Sequence, residues 1–194
     1  EDEVNKYEAL YLDRLLITQA PAIALGNAKK ELVHLASYAI QSLEASYAFF
    51  DKGDEKYFDK VEKYETAVNS IDEELTTYLI DISNESLSVS ENEILASVLD
   101  SVRDLERIGD LAVASANLSQ HIHNKGIEFS ETAKTELGDV YNRTHRIVLD
   151  SIRVVVDDDK VLAGQVILRH EELKKLEKQL RKIHTKRLNN GECT

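Results

Sequence analysis

Apolar residues recur every three or four positions along most of this chain, which is the spacing of amphipathic α-helices. After an irregular or partly helical lead-in over residues 1–27, the pattern predicts five long helices, at about residues 28–51, 55–82, 91–125, 131–156 and 160–188. Leu, Ala, Glu, Lys and Asp dominate the composition, and one proline and seven glycines leave little room for turns. We therefore expect an all-α fold built from a few long helices.

Residues with strong capping preferences lie at the predicted helix ends. Glycine favours the end of a helix, and serine or aspartate favours its beginning. The expected end residues are Gly53 and Gly126, and the expected first caps are Asp54, Ser130 and the acidic turn 157–159. Ser90 and Glu93 match the S-x-x-E capping box and predict the start of the third helix.

An internal repeat is visible in the apolar pattern. When the numbering is shifted by 105, Leu32 falls on Leu137, Asp54 falls on Asp159, and the apolar positions of two helices stay in register. Any two amphipathic hairpins can be aligned in this way, but the shared acidic turn favours a true repeat. The repeated unit would be a three-helix bundle, and the second copy would lack its third helix.

The composition limits the classes of partner. The net charge of −12 argues against nucleic acid or an anionic lipid surface as the main partner, and a phosphate group would need a metal ion or an arginine cluster. The single cysteine, Cys193, gives no disulfide framework and is interpreted as incidental. No stretch reaches the roughly 18–20 apolar residues of a membrane span, so this part of the chain is not expected to insert into a bilayer.

The stretch from Leu105 to Asp110 carries the strongest functional signal. Gly109 lies in the middle of a predicted helix, where glycine costs about 1 kcal/mol relative to alanine, so we expect a neighbour to approach closely there. Glu106 and Asp110 are four residues apart and therefore lie on one face, at the edge of the apolar arc. Two carboxylates in this arrangement are a plausible half of a metal site.

On the second helix, Glu65 and Asp72 lie at the border of the apolar stripe, and Asn69 lies one step further out, four residues after Glu65. If the second and third helices are antiparallel neighbours, Glu65 and Asn69 could converge with Glu106 and Asp110. Carboxylate and amide oxygens suit Mg, Ca, Mn or Fe better than Zn. The alternative is a solvated acidic face whose ion pairs contribute little.

Other chemistries have weaker support. Glu31 and His34 have the i, i+3 spacing of a di-iron ligand pair, but such a site needs two pairs and two further glutamates. A ferritin-like oxidase and a purely structural bundle are retained as alternatives. Nucleotide-binding glycine motifs and a nucleophile elbow are absent from the sequence, and we do not expect an enzyme.

The string Leu105-Glu106-Arg107-Ile108-Gly109-Asp110 resembles the third-helix motif of PhoU-like proteins. The resemblance implies a pair of three-helix bundles, residues 28–127 and 128–194, with the second lacking its last helix. Some PhoU-like proteins bind metal clusters through E(D)-x-x-x-D pairs. Glu106 and Asp110 match that motif, whereas Asn69 stands where an aspartate follows Glu65. In the second copy His170 and Lys174 occupy those positions, which argues against a second cluster.

The lead-in is similar to the segment joining the membrane and cytoplasmic parts of bacterial Na/Pi-cotransporter family proteins, over Tyr11–Leu16, Pro21–Leu25 and Lys30–Leu32. This resemblance implies a regulatory domain of a sodium-dependent phosphate transporter at the cytoplasmic face of the membrane. Its partner would be the transmembrane domain of the same polypeptide, and the incomplete second bundle could form a homodimer. The alternative is a free-standing PhoU-type adaptor that controls phosphate uptake and signalling.

Overall fold

The computed structural model describes residues 7–191, in which the chain forms six helices and no strand. The all-α prediction is confirmed. The chain divides into two compact units, Glu1–Ile127 and Glu128–Thr194. The helices are α1 (Leu15–Gln19), α2 (Pro21–Lys52), α3 (Glu55–Ser83), α4 (Val89–Asn124), α5 (Glu131–Asp157) and α6 (Lys160–Asn189).

The first unit is a bundle in which α2, α3 and α4 each pack against the other two. Its core consists of the apolar stripes that these three helices turn toward one another. Burial of that apolar surface is the main favourable term in its folding. Among its largest fully buried side chains are Leu32, Leu35 and Phe49 of α2, Ile71, Leu75 and Tyr78 of α3, and Val98 of α4.

The helix ends follow the predicted capping chemistry at most positions. Gly53 has φ +66° and Gly126 has φ +63°, the left-handed conformation that glycine adopts without steric cost. The side chain of Asp54 accepts the backbone N–H of Lys56, and Ser130 accepts that of Ala133. These caps are local, so the sequence was sufficient to predict them.

The turn between α5 and α6 reproduces the turn between α2 and α3. Asp158 has φ +52°, like Gly53, and the side chain of Asp159 accepts backbone N–H groups as Asp54 does. The two turns therefore match residue for residue at the shift of 105 that relates the two apolar patterns. This correspondence supports the repeat inferred from the sequence.

Two predicted helix starts are wrong. Helix α2 begins at Pro21 rather than near residue 28, because proline is tolerated at the first position, where no N–H is needed. Helix α4 begins at Val89, and its capping box is formed by Ser88 and Glu91 rather than by Ser90 and Glu93. Both serine–glutamate pairs fit the S-x-x-E pattern, so sequence alone could not choose between them.

The apolar spacing of the sequence predicts an inward face of α2 made of Leu32, Leu35, Ala36, Ala39, Leu43, Tyr47 and Phe50, and the structure differs from this prediction beyond Ala39. Ser42, Ser46 and Phe49 are buried there, whereas Leu43 and Phe50, which the apolar pattern placed inward, are only half-buried. Small serine side chains on the buried face permit close contact between helices. The apolar pattern misplaced the stripe because it selects large residues.

Glu31 anchors the lead-in to the bundle. Its side chain is completely buried on α2, and one carboxylate oxygen accepts the backbone N–H groups of both Leu10 and Tyr11 at 2.8 Å. The other oxygen lies 2.7 Å from Nδ1 of His34. A buried carboxylate needs partners of this kind, because an unpaired one would lose its hydration without compensation. The pair considered as a di-iron signature therefore has a structural role.

Further contacts hold the same segment in place. The hydroxyl of Tyr78 donates to the backbone carbonyl of Asp13 at 3.0 Å, and the side chain of Ile17 in α1 is buried. Arg14 lies 3.4 Å from Asp81, but both side chains are exposed, so this ion pair contributes little. The lead-in is therefore attached to α2 and α3 mainly by buried hydrogen bonds.

The second unit is a hairpin of α5 and α6. Asp150 is the only buried residue of the two helices. It pairs with Arg169 near the turn, and Arg187 pairs with Glu136 at the opposite end, with N–O distances of 2.9 and 2.5 Å. Self-association through this unit stays a prediction. Its exposed large apolar side chains are Leu137, Leu149, Val161, Ile167, Leu168, Ile183 and Leu188.

Within residues 7–191, none of the helices combines the length and hydropathy that crossing a membrane requires. Cys193, which the sequence interpretation treated as incidental, lies outside the described residues.

Replacing Glu31 by Ala should release the lead-in. The variant leaves the N–H groups of Leu10 and Tyr11 without their charged acceptor, and we expect the free energy of unfolding to fall by about 2–4 kcal/mol. Urea denaturation measures the loss, and hydrogen exchange at the two amides should accelerate. Glu62→Ala, an exposed glutamate on α3, is the control and should change stability by less than about 0.5 kcal/mol. Unchanged exchange at both amides would contradict the anchoring role.

Candidate functional site

The surface that Glu106 and Asp110 occupy is positioned by the contact of α4 with α3. Gly109 is buried, and a Cβ added there would lie 3.4 Å from Cγ1 of Val68. The expected close neighbour is therefore present. However, 3.4 Å is an ordinary van der Waals distance, so alanine would fit and only a larger side chain would force the helices apart. The glycine brings the two helices close without being sterically obligatory.

Glu106 lies at the centre of an acidic cluster, which we define as Asp72, Glu106 and Asp110. Partial burial raises the pKa of Glu106, and the neighbouring charges of Asp110 and Asp72 raise it further. A side-chain hydrogen bond with Asp110 acts in the same direction, and the positive charge of Arg107 acts against it. Such a cluster favours binding of a proton or another cation, because either would relieve the repulsion.

Asp72 reaches this cluster from α3. Burial raises the pKa of Asp72, while a hydrogen bond with Thr76 and the charge of Arg103 on α4 lower it. The cluster therefore spans two helices, and its residue on α3 is Asp72, whose charge raises the pKa of Glu106. The apolar pattern already places Asp72 at the border of the α3 stripe, seven residues after Glu65 and therefore on the same helical face.

Glu65 and Asn69, the predicted donors of α3, contact each other. The side-chain amide of Asn69 donates to Oε1 of Glu65 at 2.8 Å, so the two residues pair with each other. Asn69 is exposed, as is Asp110, whereas Glu65 and Glu106 are half-buried. Across residues 7–191, no group of three or more His, Cys, Asp and Glu side chains is arranged to hold a metal ion. The four-residue metal site stays a prediction.

The comparisons with known proteins agree with the geometry of the first unit. Residues 32–118 match the family model of the PhoU domain, and this segment covers most of α2, all of α3 and most of α4. The matched segment includes Asp72, Glu106 and Asp110. The bundle that carries the acidic cluster is therefore the part of the chain that is similar to the PhoU domain.

A curated relative supports the same similarity. The chain is 31% identical over 97 residues to the phosphate-specific transport system accessory protein PhoU homolog 1 of Thermotoga maritima. The aligned region is 50% of this chain and 41% of that protein, so the chain spans less than half the length of the relative it matches. No solved structure matches the chain significantly.

The raised pKa of Glu106 predicts a pH-dependent effect on stability. The folded protein holds a proton on this carboxyl more tightly than the unfolded chain does, so ionising it costs folding free energy. Glu106→Gln should therefore be more stable than the wild type near neutral pH. Its advantage should shrink as the pH falls through the raised pKa and should vanish below the ordinary value of 4.5.

Urea unfolding at several pH values measures this difference, with Glu93→Gln on α4 as the control because Glu93 is exposed. If the stability advantage of Glu106→Gln over the wild type stayed constant between neutral and acid pH, ionisation of the Glu106 carboxyl would not be the source of that advantage.

Proposed function

We propose that this chain is a non-enzymatic regulatory domain of phosphate transport, of the PhoU type. The observation that carries the proposal is the match of residues 32–118 to the PhoU domain, which falls on the compact α2–α3–α4 bundle. The relative from Thermotoga maritima is named as an accessory protein of a phosphate-specific transport system.

We further propose that the domain is attached to a sodium-dependent transporter at the cytoplasmic face of the membrane. The lead-in supports this version, because it is similar to the joining segment of such transporters and is fastened to α2 and α3 by Glu31 and Tyr78. A segment held this firmly could transmit a change in the bundle to whatever precedes it. A free-standing adaptor is the alternative.

Disruption of the gene in its source organism tests the regulatory role. Phosphate uptake, measured with radiolabelled phosphate at low and high external concentrations, should lose its response to supply. A wild-type copy should restore the response, and a copy with Glu31→Ala should restore it less well if the lead-in transmits the signal. Unchanged uptake at both concentrations in the disrupted strain would refute the proposal.

Fractionation of cells that carry the wild-type gene distinguishes a domain attached to a transporter from a free-standing adaptor. Protein that stays with the membranes after alkaline extraction supports attachment to a transporter. Protein recovered in the soluble fraction supports the free-standing adaptor.

We propose that the metal predicted from the sequence binds at the acidic cluster. A divalent cation shared by Glu106 and Asp110 would relieve the repulsion that raises the pKa of Glu106, with Glu65 and Asn69 as the predicted further donors. Fe, Mn, Mg and Ca all accept such oxygen ligands. This part of the proposal rests on the chemistry of the donors.

A titration with Mn²⁺ tests the metal site, and electron paramagnetic resonance measures the free ion at each step. We expect the wild type to bind and the Glu106→Ala/Asp110→Ala variant to lose binding. Asp100→Ala/Asp104→Ala is the matched control, since it removes an exposed i, i+4 acidic pair from the same helix. Equal and negligible binding by all three proteins would remove the metal site.

A further inference from the structure

A pocket on the hairpin of the second unit is lined by three arginines. It lies between α5 and α6, has a volume of about 370 Å³, and is in the size range of small-ligand sites. Three of its lining side chains are guanidinium groups, in a chain whose net charge is −12. The lining residues are Asn142, Arg143, Arg146, Ile147, Arg169 and Glu172.

Asp150, beside this pocket, is shared by several arginines. It is 5% exposed and pairs with Arg169, while Nε of Arg146 lies 3.5 Å away and NH1 of Arg153 lies 3.9 Å away. Two of these three arginines, Arg146 and Arg169, line the pocket. The guanidinium of Arg143 pairs with Asp139 at 3.0 Å on the next turn of α5.

The arginines differ in how firmly they are held. Arg169 is bonded to the buried Asp150 and also donates to Gln165 at 3.3 Å, so its position is constrained from two sides. The side chain of Arg146 is 70% exposed and makes only a long contact with Asp150. Arg146 can therefore turn toward a ligand at small cost, whereas Arg169 provides a preorganised charge.

We propose that this pocket binds a phosphoryl dianion through Arg143, Arg146 and Arg169. Guanidinium groups donate pairs of parallel hydrogen bonds that match the oxygens of a phosphoryl group, and several of them together hold a dianion better than a monoanion. Asn142 adds an amide donor, and Ile147 adds an apolar surface for a group that carries the phosphate. Glu172 lies in the same lining and opposes anion binding, which weakens the affinity for any anion.

Two sources could supply the phosphoryl group: free inorganic phosphate or a small phosphate monoester. The pocket is larger than one phosphate ion requires, and Ile147 would contact only the organic part of a monoester. The arginine lining supports anion binding whether or not the proposed function is correct. A role for this pocket in sensing phosphate for transport would rest on the proposed function.

Isothermal titration of the full chain with inorganic phosphate and with glycerol phosphate at constant ionic strength tests the site. Arg146→Gln should weaken binding of the preferred anion by about tenfold, since it removes a charged hydrogen-bond donor. Arg181→Gln is the matched control: it removes the same charge from α6, where Arg181 pairs with Glu177 outside the pocket, and binding should not change. Glu172→Gln should tighten binding.

The titrant that binds more tightly identifies the source of the phosphoryl group. Saturable binding of either titrant that Arg146→Gln weakens more than Arg181→Gln supports the site. Wild-type protein that binds neither titrant at millimolar concentration overturns it, and so does equal weakening by both arginine variants. Circular dichroism confirms that each variant keeps its helices, and the Glu172→Gln result is an independent check if Arg146→Gln does not fold.

The anion titration and the uptake measurement test the pocket and the regulatory role independently. Purified protein that binds no anion, in a strain whose uptake still depends on the gene, would remove the pocket and leave the regulatory role intact. Anion binding without any effect of the gene on uptake would support the pocket and refute the regulatory role.

Discussion

The close approach of α4 to α3 at Gly109 and Val68 determines what the surface of the first unit can do. Gly109 of α4 packs against Val68 of α3, and residues that flank this contact lie near each other across it. Glu106 and Asp110 come from one helix and Asp72 from the other. The raised pKa of Glu106 is the electrostatic consequence, since neighbouring carboxylates and burial both disfavour its ionised form.

The same bundle is tied to the chain that enters it. The side chain of Glu31 is completely buried, and the backbone N–H groups of the lead-in supply part of its hydrogen bonding. The segment and the bundle are therefore thermodynamically linked, since detaching the segment removes hydrogen-bond partners from a buried carboxyl group.

The second unit uses a different balance of forces. Its two helices bury little apolar surface, and Asp150 with Arg169 and Glu136 with Arg187 define how they pair. Three arginines and one glutamate line a pocket between these helices, in a chain whose net charge is −12. The two units thus have similar turns, capped by Asp54 and Asp159, but different candidate sites: carboxylates in the first unit and mainly arginines in the second.

The sequence by itself determined the all-α class, the ends at Gly53, Gly126 and Ser130, and the helical face that carries Glu106 and Asp110. These features depend on periodicity and on caps formed within one turn, so neighbouring residues suffice to specify them. Only the tertiary structure decided that Glu31 is buried, that Asp72 of α3 lies close enough to raise the pKa of Glu106, and that arginines of α5 and α6 line one pocket. Those outcomes depend on how helices distant in sequence rotate against each other, and a rotation of a few tens of degrees changes which side chains meet.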